Sequence, residues 1–229
     1  MPPWRAHNDL FFYELIFGKG APKILLNIGG ISNFSVVGKN IKTVGFDVGP
    51  GNTLIDLCCQ QFFQRPFDKN GSLSARAQAD KALVKKLLSQ KFFAQKPPKS
   101  LDKNAFGAAY LQRYFPPEKF ASPLARLATL TYFTAAAVAD QITRFVPKKQ
   151  QRELIVSGGG CYNQTLLNHL RACLPHMRVC TTLDYGIDPH AKEAAAFALF
   201  AHLALHKKIN HCARATGARC NTILGKITL

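Results

Sequence analysis

Apolar positions change period along this chain, and each change marks an element. The runs "KILLNIGG" (23 to 30), "ISNFSVVG" (31 to 38) and "KTVGFDVG" (42 to 49) are short, apolar and closed by glycine. They predict three consecutive strands joined by tight turns. After the Gly-Pro-Gly turn, Thr53 with Asp56 three residues on reads as a helix start, and Leu54, Ile55, Leu57, Cys58 and Phe62 supply its apolar face. From 65 to about 121 the pattern loosens, with "RPFDKNG", "QKPPKSLDKN" and "FPPEKF" as breaks. Helical pieces fall between those breaks, notably 75 to 89.

The second half is more regular. Ser122 to Phe145 is an alanine-rich helix whose proline, Pro123, sits at the first turn, where it is tolerated. "ELIVSGGG" (153 to 160) predicts a strand ending in three glycines, and Asn163 caps a helix running to about Cys173. "MRVCTTL" (177 to 183) predicts another strand. Asp188-Pro189 starts a last helix to His206, and the basic tail ends in a strand at 221 to 228. The order β-β-β-α, an insertion, then α-β-α-β-α predicts an α/β mixed sheet with helices on both faces. Three antiparallel strands before the alternation describe one ribonuclease-H-like lobe, the unit that is doubled in actin-like ATPases. No internal repeat supplies a second copy.

Composition narrows the class without naming a function. The chain has 229 residues, 47% hydrophobic and 19% charged, as in a globular protein with a real core. No run reaches the ~18 apolar residues of a membrane span. The apolar patch at 10 to 17 is broken by Asp9 and Glu14 and makes a poor signal peptide. Seven cysteines without regular spacing point to a reduced, cytoplasmic compartment. A net charge of +17 attracts polyanions, but the basic residues are spread out and not interleaved with aromatics, so nucleic acid is not the expected partner.

Three glycine-bearing turns fall at predicted strand ends, where open α/β sheets bind ligands. Asn27-Ile28-Gly29-Gly30 reads either as a hairpin turn or as a phosphate-facing backbone. Ser157-Gly158-Gly159-Gly160 reads either as close packing of strand on helix or as a backbone cradle at a helix start. In "GFDVGPGN", Asp47 is either a base held rigidly at a strand end or a carboxylate bonded to its own turn. His202, His206, His211, Cys212 and Cys220 match no zinc-ligand spacing, so no metal site is assigned. Asp68 in "FDKNG" reads as a turn residue.

Taken together, "LLNIGGISNFSVV", "GFDVGPGNTLIDL", "PPKS", "LIVSGGGCYN" and "GIDPHAKEAAAFALFA" stand in the order and approximate spacing of the anhydro-N-acetylmuramic acid kinase family. The chain resembles that family from about residue 21 to 206. The resemblance implies a lobe of the sugar kinase/Hsp70/actin superfamily with an insertion at 65 to 121. Residues 1 to 20 would then be the remnant of an inter-lobe connector and 207 to 229 a basic tail. It implies an ATP- and Mg2+-dependent kinase that hydrolyses and phosphorylates 1,6-anhydro-N-acetylmuramic acid to N-acetylmuramic acid 6-phosphate in peptidoglycan recycling. Asp47 would be the general base; Gly29 and Gly30 would line the ATP phosphates, and Gly158, Gly159 and Gly160 the adenosine. Gly49, Asn52 and Glu193 would meet the sugar. The family's first phosphate loop, of the Gly-Thr-Ser-x-Asp-Gly kind, is not in this chain. The expectation is therefore a kinase needing a separate N-terminal lobe or a homodimer, or else a non-catalytic remnant or interaction protein of the same fold. Asp102-Lys103-Asn104 and Cys161-Tyr162 depart from the family pattern.

Overall fold

The computed structural model of the chain describes residues 8–41, 44–102, 104–211 and 219–225. Helix α1 (Asn8–Phe17) leads into β1 (Lys23–Ile28), β2 (Ile31–Val37) and β3 (Val44–Pro50). Helices α2 (Thr53–Phe63), α3 (Lys81–Leu87), α4 (Lys91–Ala94) and α5 (Ala108–Tyr114) follow, then the long α6 (Pro123–Phe145). The chain continues through β4 (Glu153–Ser157), α7 (Gln164–Cys173), β5 (Arg178–Thr181) and α8 (Lys192–Leu205).

The five strands make one sheet in the order β3-β2-β1-β4-β5. β1 pairs antiparallel with β2, β2 antiparallel with β3, and β4 and β5 run parallel to β1. This is the ribonuclease-H-like arrangement expected from the element order. Alternation along the central strands feeds two cores at once, because successive side chains leave opposite faces. Ile24, Leu26 and Ile28 of β1, with Leu154 and Val156 of β4, pack under α6 and α7 against Ala135, Val138, Ile142, Leu166 and Leu170. Leu25 and Ile155 turn to the other face and meet Phe12, Tyr13 and Phe17 of α1 and Ala196 of α8. The 10-to-17 patch is therefore a helix that buries one side on the sheet. A third core joins α2, α6 and helices α3 to α5 around Phe93, Phe106, Phe115 and Phe133.

Several element boundaries differ from the sequence reading, each for a local reason. Asn52, not Thr53, is the cap residue of α2, and its side chain makes no capping bond. The N–H groups of Asn52 and Thr53 instead donate to the Gly29 and Gly30 carbonyls at 2.8 and 3.2 Å. The helix expected at 75 to 89 shortens to α3, because Asp80 caps it by accepting from Leu83 N at 2.9 Å. β5 stops at Thr181, where Asp184 Oδ2 accepts from Thr181 N at 2.7 Å and a capping box begins. α8 starts at Lys192, because Asp188 first closes a turn by accepting from His190 N at 2.9 Å. Residues 221–225 are not in a strand, and 226–228 of the expected tail strand lie outside the described residues. The cap read for α7 forms as expected, Asn163 Oδ1 accepting from Leu166 N at 2.9 Å; α6 begins at Pro123, and Ser122 Oγ caps it by accepting from Ala125 N at 3.2 Å.

Candidate active site

Asp47 sits near the end of the edge strand β3, opposite Asn33, beside a register shift at Ser32/Asn33. It is 2% exposed. The extended segment 99–101 lies against it and grips it twice. Asp47 N donates to Lys99 O at 3.2 Å, and Leu101 N donates to Asp47 Oδ2 at 2.8 Å. The other oxygen, Oδ1, is buried with no hydrogen-bond partner among the described residues. Burial raises the Asp47 pKa above the ordinary aspartate value, and the Leu101 N–H offsets part of that rise. A carboxylate fixed through one oxygen and without a partner on the other can accept a proton at the second oxygen.

Close backbone packing shapes the turn after Asp47. A Cβ at Gly49 would stand 3.1 Å from Ala137 Cβ and 3.2 Å from Phe93 Cε1, so glycine lets α6 and α4 close on β3. A Cβ at Gly51 would meet Gly29 O at 2.3 Å. Thr134 of α6 ties the same turn by donating from Oγ1 to Gly51 O at 3.0 Å. The first glycine turn is thereby locked to the third, with Asn52 Nδ2 donating to Ile28 O at 3.2 Å.

The three glycines after β4 divide into two kinds. Gly158 has φ of +75°, a conformation costly for other residues, and a Cβ on Gly160 would lie 2.5 Å from Ile28 Cβ. Both serve the packing of this turn on the end of β1. Gly159 is exposed, and its nearest neighbour would be Asn52 Nδ2 at 3.4 Å. It opens onto a cavity of about 520 Å³ lined in part by Asn52, Asp56, Phe67, Tyr162 and His190. The Tyr162 and His190 rings stack with centroids 5.1 Å apart, and Phe67 is exposed. Burial alone pushes the Asp56 carboxyl up to about 6. Apolar rings, open backbone and one perturbed acid are the usual makings of a small-ligand pocket.

A buried polar cluster joins the two glycine turns on the α1 side. Tyr13 OH and Ser157 Oγ are 2.9 Å apart. Lys192 Nζ donates to Tyr13 OH and to Asn27 Oδ1, both at 3.3 Å. So the structure brings Gly29, Gly30, Asn52 and Gly158–Gly160 together around the end of β1, with Asp47 and Gly49 on the edge strand β3, beyond β2. Glu193 stands apart: it is exposed in the first turn of α8 and makes no hydrogen bond or ion pair among the described residues, while its neighbour Lys192 turns inward. Asp68 is the turn residue expected, accepting from Leu73 N, Ser74 N and Ser74 Oγ at 2.6 to 3.0 Å.

The sequence reading gave no role to Lys99, Leu101, Asp56, Tyr162 with His190, or Lys192. Lys99 lay inside the quoted "PPKS", and only its burial would have marked it out. Leu101 acts through its backbone, which no sequence pattern announces. Among the described residues there is no group of three His, Cys, Asp or Glu side chains placed to hold a metal ion, and no helix long and apolar enough to cross a membrane.

Comparison with known proteins adds an independent finding. The model of a family described as anhydro-N-acetylmuramic acid kinase matches residues 10–229. Proteins of that name from Clostridioides difficile (strain 630) and Variovorax paradoxus (strain S110) are each 38% identical, over 99% and 94% of this chain. One from Pseudomonas syringae pv. syringae (strain B728a) is 36% identical over 94%. The chain spans 59% of the length of each of these relatives. Among solved structures, an activator of 2-hydroxyisocaproyl-CoA dehydratase from Clostridium difficile with bound ADPNP is 13% identical, with a TM-score of 0.44 over 79% of this chain and 59% of that one.

Proposed function

The chain belongs to the anhydro-N-acetylmuramic acid kinase family, and from that premise we propose that it is the base-bearing lobe of a sugar kinase. The substrate is 1,6-anhydro-N-acetylmuramic acid, and the products are N-acetylmuramic acid 6-phosphate and ADP. Opening the anhydro bridge requires water to attack the anomeric carbon while the bridging oxygen departs. As in inverting glycoside hydrolysis, that attack needs a carboxylate base on the face opposite the leaving oxygen. Asp47 is that base. The observation that carries the reading is its half-satisfied carboxylate, held at Oδ2 by Leu101 N and buried at Oδ1 without a partner among the described residues. Its raised pKa makes it a stronger proton acceptor than a solvated aspartate.

ATP supplies the phosphoryl group that captures the released oxygen, which removes the need for a second protein acid. The open backbone at Gly29 and Gly159 fits such a ligand, since a Cβ at either would meet nothing closer than 3.4 Å. Gly29 and Gly30 face the phosphates. Gly159 faces the adenosine, and Gly158 and Gly160 hold that turn in shape. Magnesium would come with the phosphates, because cations of this kind commonly bind through substrate oxygens and retained waters. Gly49 and Asn52 border the sugar, and Glu193 meets it when the cleft closes. The second wall of the cleft is supplied by whatever lies outside these 229 residues, by a companion lobe or by a second copy. Buried free thiols at Cys58, Cys59, Cys161 and Cys180 suit a reducing cytoplasm.

A coupled ADP-release assay with the anhydro sugar and Mg-ATP tests the assignment. Sugar-dependent turnover should fall roughly 10²–10⁴-fold in Asp47→Asn. Near-normal turnover in that variant would reject Asp47 as the base.

A further inference from the structure

We propose that Lys99 is a positioning residue for Asp47: it fastens segment 99–101 so that the Leu101 N–H holds one carboxylate oxygen and leaves the other, buried, without a hydrogen-bond partner among the described residues. The inference rests on the reading of Asp47 as the base. Lys99 is 7% exposed, and among the described residues it is the one buried side chain between Phe93 and Phe106. Its Nζ donates to Phe92 O at 3.0 Å and to Gln141 Oε1 at 2.5 Å. Gln141 is itself fixed, donating from Nε2 to Phe93 O at 3.0 Å and to Asp140 Oδ2 at 2.8 Å. Three rings surround the ammonium, with centroids 4.4 Å (Phe92), 5.2 Å (Phe145) and 5.9 Å (Phe46) away.

This is an anchor with a direction. The side chain of Lys99 runs back to α4 and α6, while its carbonyl and the N–H two residues on grip Asp47 at the edge of the sheet. Pro98 and Ser100 are exposed; Asp102, also exposed, accepts from Asn104 N at 2.8 Å in the turn that follows, and Leu101 packs only partly buried against the third core. Burying an ammonium without an ion pair is costly, so a purely packing role would be filled more cheaply by an apolar side chain. The lysine instead reaches two fixed oxygens, and those contacts set where Leu101 N sits relative to Asp47.

The test is nuclear magnetic resonance on the ¹³C,¹⁵N-labelled full chain, following side-chain carboxyls and backbone amides through an acid titration. Asp47→Asn identifies the Asp47 carboxyl signal. In the native sequence the Leu101 amide should move with the same midpoint as the Asp47 carboxyl. In Lys99→Met that response should be lost, and the Asp47 midpoint should shift further upward, because the N–H bond that favours the carboxylate is gone. If Lys99→Met fails to fold, Gln141→Met removes the same anchor from the other side and should give the same two changes. An unchanged Asp47 midpoint with the Leu101 amide still following it, in either folded variant, overturns the proposal. So does a native Leu101 amide indifferent to Asp47. Where turnover is measurable, Lys99→Met should lower kcat by up to about 10²-fold and leave KM for the sugar unchanged. Retained turnover in Asp47→Asn would sink the base assignment, while the titration decides the anchor separately.

Discussion

Gly158, Gly159 and Gly160 are neighbours that answer to different constraints, and alanine substitution should separate them. Gly160→Ala drives a methyl into Ile28 at 2.5 Å and should cost about 1–3 kcal/mol in denaturant unfolding. Gly158→Ala meets Ile28 O at 2.7 Å from a positive φ and should also destabilise. Gly159→Ala has room, so its stability should stay within about 0.5 kcal/mol of native while ATP binding, read by calorimetry, weakens. Asp56 offers a pH test at the same scale. Its folded pKa of about 6 lies above the unfolded value, so the folded state holds the proton more tightly and stability falls as pH rises from about 4 to about 6. Solvent screening at this half-buried carboxyl discounts the contribution to about 1–2 kcal/mol at most. The favourable field of the α2 N-terminus offsets about 0.3–1 kcal/mol of that. Asp56→Asn should therefore raise Tm at pH 7.5 and lose that advantage near pH 4; destabilisation at both pH values would refute the burial argument.

The elements of the second half were legible because each carries its own punctuation. Ser122 with Pro123, and Asn163, are side-chain caps that act within three residues, so α6 and α7 start where the sequence says. The start of α8 shifts because Asp188 first closes a turn on His190 N, and the start of α2 because groups distant in sequence decide it. At α2 the Gly29 and Gly30 carbonyls do the capping, from a turn more than twenty residues earlier. The stretch from 65 to 121 was least legible of all, since of its helices only α3 carries a side-chain cap, at Asp80, and α4 and α5 are held by aromatic contacts with α6. Phe133 is the hub, with ring centroids 5.9, 6.2 and 5.7 Å from Phe93, Phe106 and Phe115. Phe133→Ala should cost about 3–5 kcal/mol. Hydrogen exchange should show the loss first in 91–115, which includes the segment that grips Asp47; uniform loss across the sheet would mean that this stretch has no core of its own.

At the scale of the whole molecule, charge and apolar surface oppose each other. Leu15 and Ile16 on α1 and Phe197 and Leu205 on α8 are exposed, on two helices that pack together through Phe11 and Phe200. A net charge of +17 keeps copies apart at low ionic strength, and salt screens that repulsion within about 10 Å at 0.1 M. Sedimentation velocity should show association growing with salt and suppressed by Phe197→Ser; association that weakens with salt would point to charge pairing instead. The sequence by itself determined the succession of strands and helices, a mixed sheet covered by helices on both faces and the three glycine turns. Those follow from periodicity, from backbone freedom and from steric rules that act over a few residues. It left Asp47 open between a base and a turn acceptor, because both readings need the same local residues. Only the tertiary structure brought Leu101 N onto one oxygen, left the other buried without a partner among the described residues and set Lys99 behind both. Those contacts join residues about fifty apart in the chain, and they exist only once α4 and α6 have packed against the edge of the sheet.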